Sequence, residues 1–335
     1  MALILPKKYK SLLSVRETER AIKTARTIFT NELCDKLNLE RVTAPMFVKA
    51  GTGINDDLNG TERAVGFDIL NMPGVEAQVV HSLAKWKRIA LAKYGFDVGE
   101  GIYTNMNGIR RDEELDNIHS IYVDQWDWEK VISKDQRNVE YLKKTVQDIV
   151  NAIADAKEGI TRVYPQLTKK IDRNVTFITS QELEDLYPNL SPKERENAFV
   201  KKHHTIFIMQ IGDVLKSGER HDGRAPDYDD WKLNGDLIMY NEVLDMAFEV
   251  SSMGIRVDEE TLRLQLAKSE HEERLVLPFH KMLLNGELPL SIGGGIGQSR
   301  LCMLLLEKAH IGEVHTSIWP DEMVKKCKAA GIEIL

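Results

Sequence analysis

The chain has 335 residues, a hydrophobic fraction of 42% and a formal net charge of −7 at pH 7. That length suffices for one large domain or two ordinary ones, and the apolar content can fill a sizeable core. The acidic balance argues against a general nucleic-acid binder, and no apolar run approaches the ~20 residues that a membrane-spanning helix needs. Cys34, Cys302 and Cys327 form no C-x-x-C pair, which suits reduced thiols in a cytoplasm. Met1 to Lys10 lack the apolar core of a signal peptide, so a cytoplasmic location is expected.

Ser14-Val15-Arg16-Glu17 reads as a capping box, in which Ser14 and Glu17 satisfy each other's backbone amides. It opens a helix to about Leu37, with Ile22, Ala25, Ile28, Phe29, Leu33 and Leu37 along one stripe. A strand from Leu39 to Val42 follows and ends at Thr43-Ala44-Pro45. Gly51 to Gly60 is a polar glycine loop. Strands from Asp68 to Leu70 and Ala77 to Val80 precede a helix through about Tyr94. Ser82 is its expected N-cap, and Lys85, Lys87 and Arg88 lie on it. From Gly99 to Trp128 the pattern is strand, polar loop, strand: a hairpin with a long tip after Arg110-Arg111-Asp112. Side chains alternate along the return strand, so Gln125 and Asp127 share a face with Ile121 and Val123. Trp126 and Trp128 on the other face belong in the core, which aims Gln125 and Asp127 into a cleft.

A helix is expected from about Lys134 to Ala156, then a strand from Val175 to Ile178 and a short helix capped by Ser180. Ser191-Pro192-Lys193-Glu194 is a second capping box, with proline at the first helical position, opening a helix to about Lys202. Thr205 to Ile211 reads as a strand. His203 and His204 have no spaced partners and read as surface residues. The acidic stretch from Arg220 to Asp236 lacks the ligand ladder of a calcium loop, and a solvated turn stays open for it. Leu244 to Met253 alternates, with Leu244, Met246, Phe248 and Val250 on one face and Asp245, Ala247, Glu249 and Ser251 on the other. A glutamate on the inner face of a strand is costly unless it is paired or bound to metal. Helices are expected from about Glu259 and Glu272.

The stretch that organises the rest is Pro289-Leu290-Ser291-Ile292-Gly293-Gly294-Gly295-Ile296-Gly297-Gln298-Ser299-Arg300, followed by an apolar helix. It reads as strand, glycine turn and helix, with Arg300 leaving the first helical turn beside a positive helix end. That combination suits a flat ring pressed on the backbone with phosphate near the arginine. It is neither G-x-G-x-x-G nor a P-loop. A glycine turn serving helix–strand packing is the alternative.

Three features in chain order resemble the three signatures of class II aminoacyl-tRNA synthetases: helix–strand–proline to Pro45, the arginine–loop–strand hairpin, and the glycine-rich run opening a helix at Arg300. The resemblance implies an α+β fold, an antiparallel sheet flanked by helices, and a homodimer formed through the first signature. It also implies one catalytic domain over residues 1–335, with no anticodon-binding domain. Val80 to Arg88, Tyr122 to Glu129, Arg224 to Trp231, Ser251 to Arg256 and Gly293 to Leu306 are similar, more narrowly, to the asparagine synthetase A family of ammonia-dependent aspartate–ammonia ligases.

That family joins L-aspartate, ATP and ammonia through a β-aspartyl-AMP intermediate, releasing AMP and pyrophosphate. The resemblance implies no nucleic-acid partner and no membrane. It places Asp56, Ser82, Gln125 and Asp127 around aspartate, with Arg300 near a carboxylate. Arg110 matches the α-phosphate contact, with Arg111 as a competing register. Lys87, Asp229, Ser251, Gly295 and Arg300 match positions at the nucleotide. Asp56, Gln125, Asp127, Arg110 and Arg300 form the implied catalytic set, and Asp236 and Glu249 the expected ligands of Mg²⁺. One departure is the single residue between Trp231 and Leu233, where some members of the family carry a longer insertion. An aspartyl-tRNA-synthetase-like enzyme and a non-catalytic relative are the alternatives. Ala2 stands where a glutaminase would place its cysteine, so ammonia rather than glutamine is the expected nitrogen donor.

Overall fold

Local capping fixes the first element. The computed structural model describes residues 3–56 and 62–335, and within it the Ser14–Glu17 box opens α1 (Val15–Leu37). Next come β1 (Leu39–Arg41), β2 (Phe47–Lys49), β3 (Gly66–Asp68), β4 (Glu76–Val79), α2 (Ala84–Tyr94), β5 (Gly101–Ile109) and β6 (Tyr122–Val131). The middle of the chain forms α3 (Val139–Val163), β7 (Thr176–Thr179), α4 (Ser180–Leu186), α5 (Pro192–His203), β8 (Thr205–Met209), β9 (Asp229–Asn241) and β10 (Met246–Arg256). The last part forms α6 (Glu259–Lys268), α7 (Pro278–Leu284), β11 (Ser291–Gly297), α8 (Gln298–Leu305) and α9 (Asp321–Ala329). The distal part of the Gly51–Gly60 loop, from residue 57, lies outside the described residues.

Eight strands form one sheet in the order β1-β5-β6-β11-β10-β9-β8-β7. Its interior pairs are antiparallel, and only the described edge pairs, β1 with β5 and β7 with β8, are parallel. One face carries the main core, where α1, α3 and α8 pack Phe29, Ile149, Ile153 and Leu301 against Trp126, Trp128, Phe248 and Ile296. The opposite face is covered at one end by α4 and α5 over Ile206, Ile208, Ile238 and Ala247, and near the other end by α2 over Ile102 and Val131. Between these two covers the sheet is left open.

Register in β6 depends on the tryptophans. Trp126 and Trp128 are 2% and 0% exposed, and Trp126 donates its indole N–H to Thr30 Oγ1 at 2.9 Å. Each buries on the order of 150–250 Å². A slip by one residue would turn Asp127 into the core and a tryptophan into the open face, so the buried pair holds Gln125 and Asp127 outward.

Several boundaries differ from the sequence reading. α3 starts at Val139 because the extended Asn138 caps it, accepting from the Tyr141 amide; Lys134–Gln136 make only a 3₁₀ turn. Thr179, not Ser180, caps α4, in a box with Glu182. Ser82 is not the N-cap of α2: that position is Leu83, and the Ser82 hydroxyl donates to Asp56 Oδ2 at 3.1 Å. The acidic stretch passes into β9 at Asp229, with Asp227, Asp229 and Asp230 buried, because ion pairs hold these carboxylates inside.

Two differences bear on the site. The glycine run is not a turn. Gly293, Gly294, Gly295 and Gly297 lie in β11, paired with β6 on one side and β10 on the other, and none has positive φ. In β10 the alternation expected from Leu244 to Met253 breaks at a bulge: Glu249 pairs with Ile238 but Ser251 with Leu237, leaving Val250 extra. Beyond it Met253 and Ile255 take the core face, and Ser252 stands opposite Asp236 on the open face.

Candidate active site

The open face holds a cleft of about 350 Å³. Its floor is β11, and its walls are β6, β10, the hairpin between β5 and β6, the start of α2 and the 221–228 loop. All twelve site residues expected from the sequence line it: Asp56, Ser82, Lys87, Arg110, Gln125, Asp127, Asp229, Asp236, Glu249, Ser251, Gly295 and Arg300. Arg111 does not; it is exposed outside the cleft.

The floor has no side chains because neighbours need the room. A Cβ on Gly293 would sit 2.0 Å from Glu129 Oε2; on Gly294 it would meet Met253 Cβ at 2.6 Å, and on Gly295 Gln125 Oε1 at 2.7 Å. Flat backbone of Gly294, Gly295 and Gly297 lines the cleft, and at position 295 any larger residue would collide with Gln125 there. Beside Gly293, on the same open face, runs a buried charge network that sequence reading missed. Arg256 donates to Glu129 Oε2 at 2.7 Å and also pairs with Asp229, and Ser291 Oγ donates to Glu129 Oε1 at 2.7 Å. Burial opposes ionisation of Glu129, but Arg256 and Lys87 outweigh it and hold the carboxyl below its usual value. At Asp229 burial prevails over the pull of Arg256 and Arg224, and pushes the carboxyl up. Glu129 was legible as the next residue on the Gln125–Asp127 face; its arginine partner was not.

Lys87 is 1% exposed. Its ammonium donates to Asp127 Oδ1 and, at 2.9 Å, to the Gly294 carbonyl. Among the described residues the other oxygen, Asp127 Oδ2, is buried without a hydrogen-bond partner, so it is an acceptor held bare at the cleft wall. Asp56 stands across from it, 2% exposed, with its carboxylate on Ser82 and its carbonyl 2.9 Å from His81 Nδ1.

Two arginines reach the cleft from remote segments. Arg300, in the first turn of α8, donates to the Glu249 carbonyl at 3.1 Å, and its second terminal nitrogen lies 3.5 Å from the Ile118 carbonyl in the hairpin. Arg110, directly after β5, has a buried Nε that makes no hydrogen bond among the described residues. A further cleft cation, Arg224 of the 221–228 loop, bridges Ser252 Oγ at 2.5 Å and Asp236 Oδ1 at 2.6 Å. It sits in the stretch for which the sequence leaves a solvated turn as one open alternative, and its partner Ser252 is set by the β10 bulge. Ser251 donates instead to the Gly295 carbonyl at 3.0 Å.

Asp236 and Glu249 face the cleft together, with Asp222 near. Burial pushes Asp236 up to about 6 against the pull of Arg224, and Glu249 and Asp222 add to the rise. Burial also works against the charge on Glu249, but Arg300, Lys193 and Arg224 outweigh it and hold that carboxyl below its usual value. A divalent cation fits this paired negative charge. The described residues contain no group of three or more His, Cys, Asp or Glu side chains disposed to hold a metal. A cation here would therefore complete its shell with phosphate oxygens and water.

A cleft that brings together arginines from separate segments, a bare backbone floor and a pair of carboxylates suits a nucleotide beside a small anionic substrate. Comparisons with known proteins agree with this chemistry. The model of a family described as aspartate–ammonia ligase matches residues 16–331. Aspartate–ammonia ligase of Lactobacillus johnsonii is 60% identical over the whole of both chains, and that of Clostridium perfringens is 58% identical over 99% of each. Among solved structures, asparaginyl-tRNA synthetase of Entamoeba histolytica in complex with asparaginyl-adenylate aligns with a TM-score of 0.67 at 13% identity, covering 90% of this chain. The chain spans 66% of that protein's length. The Pyrococcus horikoshii asparaginyl-tRNA synthetase aligns with a TM-score of 0.65 at 12% identity, covering 91% of this chain and 70% of that one. These structural likenesses show the α+β fold of the class II synthetases. Identity near 60% along the full length is the narrower finding, and by it the chain belongs to the aspartate–ammonia ligase family.

Proposed function

We propose that the cleft activates the side-chain carboxylate of L-aspartate with ATP and passes the acyl group to ammonia, giving L-asparagine, AMP and pyrophosphate. A carboxylate is a poor electrophile, since its charge repels a nucleophile. Attack of a carboxylate oxygen on the α-phosphorus forms the anhydride of β-aspartyl-AMP and releases pyrophosphate. Two anions have to meet for that step, so it needs fixed positive charge. The observation that carries the reading is the convergence of Arg110 and Arg300 on one cleft floored by side-chain-free backbone.

In this reading Arg110 meets the α-phosphate and Arg300 stands between phosphate and substrate carboxylate. Gly295, Asp229 and Ser251 shape the nucleotide's bed. Asp236 and Glu249 would hold Mg²⁺, which neutralises charge along the triphosphate. Asp56, Ser82, Gln125 and Asp127 surround aspartate. Lys87 acts from α2, holding one Asp127 oxygen so that the other stays open to an ammonium group. Ammonia then attacks the acyl carbon, the carbon–nitrogen bond forms, the bond to AMP breaks, and a cleft carboxylate takes the proton. The same reading makes the protein a cytoplasmic homodimer with no nucleic-acid partner.

Incubation with ATP and aspartate, with and without ammonium, tests the proposal. AMP release that rises with ammonium is expected; ADP as product, or release indifferent to ammonium, refutes it. Arg300→Ala should lower aspartate-dependent ATP–pyrophosphate exchange by at least ~100-fold, the scale of losing a preorganised charge at the reacting centre.

A further inference from the structure

Arg110 and Arg300 have to be held in fixed relation if both are to meet one nucleotide, yet they belong to separate elements. Arg300 rides on the first turn of α8, and Arg110 directly follows the outgoing strand of the β5–β6 hairpin. What holds the start of α8 is not its own cap. Gly297 occupies the N-cap position and supplies no side chain. Instead Asp124 of β6 accepts from the Ser299 backbone N–H at 3.0 Å and from the Ser299 hydroxyl at 2.8 Å. A carboxylate at a helix N-terminus satisfies an orphan donor and the helix dipole together.

From Ser299 the chain of hydrogen bonds continues. His315 Nδ1 lies 2.8 Å from Ser299 Oγ, and His315 Nε2 lies 3.1 Å from Ser120 Oγ in the hairpin. The Ser120 and Ser317 hydroxyls are 2.9 Å apart. The carboxylate sets the direction of the whole chain. Asp124 only accepts, so the single Ser299 hydroxyl proton goes to it, and His315 Nδ1 has to donate to Ser299 Oγ. In a neutral ring Nε2 is then an acceptor, and the Ser120 hydroxyl donates to it. Burial favours that neutral ring. The ring also stacks on Tyr122 of β6, with centroids 4.7 Å apart.

We propose that His315 is a positioning residue that locks the Arg300 helix to the Arg110 hairpin. One nitrogen grips the helix start and the other grips the hairpin, so the two arginines keep one spacing. On the substrate side Asp56, Ser82 and Lys87 lie on other segments, and Gln125 and Asp127 are held in β6 by its own sheet pairing; of the two ligands only the nucleotide meets both Arg110 and Arg300, so only its contacts depend on the spacing between them. Losing His315 should therefore weaken the response to ATP more than the response to aspartate. The proposal rests on the adenylation reading above.

The test measures ATP–pyrophosphate exchange for wild type, His315→Phe and His315→Gln. Phenylalanine keeps a ring on Tyr122 but has no nitrogen; glutamine keeps one donor and one acceptor. His315→Phe should raise the KM for ATP by about tenfold and leave the KM for aspartate within about twofold, a shift in transition-state and ground-state placement of the size of one buried hydrogen bond. His315→Gln should recover most of the loss. If His315→Phe does not fold by circular dichroism, Ser120→Ala carries the same expectation, since it removes only the hydroxyl between ring and hairpin. An unchanged KM for ATP in a folded variant, equal changes in both KM values, or no recovery with glutamine overturns the positioning role. Absence of aspartate-dependent exchange in the wild type would instead overturn the adenylation reading.

Discussion

An alanine at position 293 would place its Cβ 2.0 Å from Glu129 Oε2 and 2.7 Å from Arg256 Nη2. Neither group is the loose end of a surface side chain: both are buried and tied into the Asp229–Arg256–Glu129 network. Relief by rotation would break an ion pair and strand a charge away from water. Breaking one buried pair costs about 3–5 kcal/mol, against about 1–3 kcal/mol for plain overpacking. Gly293→Ala should therefore lose stability at the upper end of that combined range, measured as a shift in urea midpoint with an unchanged slope. A loss below about 1 kcal/mol would mean that the network yields freely, and that the glycine serves something other than clearance.

Elements were legible where local chemistry decides them. The Ser14–Glu17 and Ser191–Glu194 boxes predict the starts of α1 and α5 because each cap is made by residues three apart. The outward face of β6 follows from a period of two once the tryptophans are assigned to the core. What neighbours decide was not legible. The glycine run reads as a turn because strand and turn glycines look alike in one sequence; the strands on both sides of β11 make it a strand. The β10 bulge is invisible for the same reason, and with it the exchange of Ser252 for Ser251 on the open face. The grouping of the twelve cleft residues came from family resemblance, while Arg224, Glu129 and Arg256 enter through pairings that no local pattern announces. Two serines separate these levels experimentally. Ser14→Ala should cost about 1 kcal/mol of stability, as capping losses do, with unchanged kinetics. Ser82→Ala should do the reverse, since α2 does not use Ser82 as its cap: little change in melting, and a several-fold rise in the KM for aspartate as Asp56 loses its hydroxyl partner. Equal melting losses in both variants would restore Ser82 to a capping role.

At the scale of the molecule, both ends of the described chain close on the segment after α8. Asn117 bonds Ile4 through both its amide atoms and also the Ala309 carbonyl, while the Leu335 amide donates to the Gly312 carbonyl at 2.8 Å. Tyr9 donates to Glu313 at 2.9 Å. His310 lies at the centre, fully buried, its Nδ1 accepting from the Gly312 amide at 2.9 Å and its ring 4.8 Å from that of Trp319. Burial pushes its pKa down from 6.5 to about 4, against a small opposing pull from Asp116. A depressed histidine stabilises the fold fully above its ordinary value, and that contribution disappears as pH falls from 6.5 through 4. The amount is on the order of 3 kcal/mol. Asp236 acts in the opposite sense: with its pKa raised from 3.8 to about 6, its ionisation removes stability as pH rises across that interval. Burial raises Glu313 too, with the same sign. The wild-type curve therefore sums opposed contributions, and only a difference isolates the histidine. Asparagine can accept from the Gly312 amide as Nδ1 does, but it takes up no proton in this range. Between pH 7 and 4 the His310→Asn variant should lose less stability than wild type, by on the order of 3 kcal/mol in urea denaturation at stepped pH. Parallel curves for the two proteins would show that His310 takes up its proton without disturbing the closure of the termini.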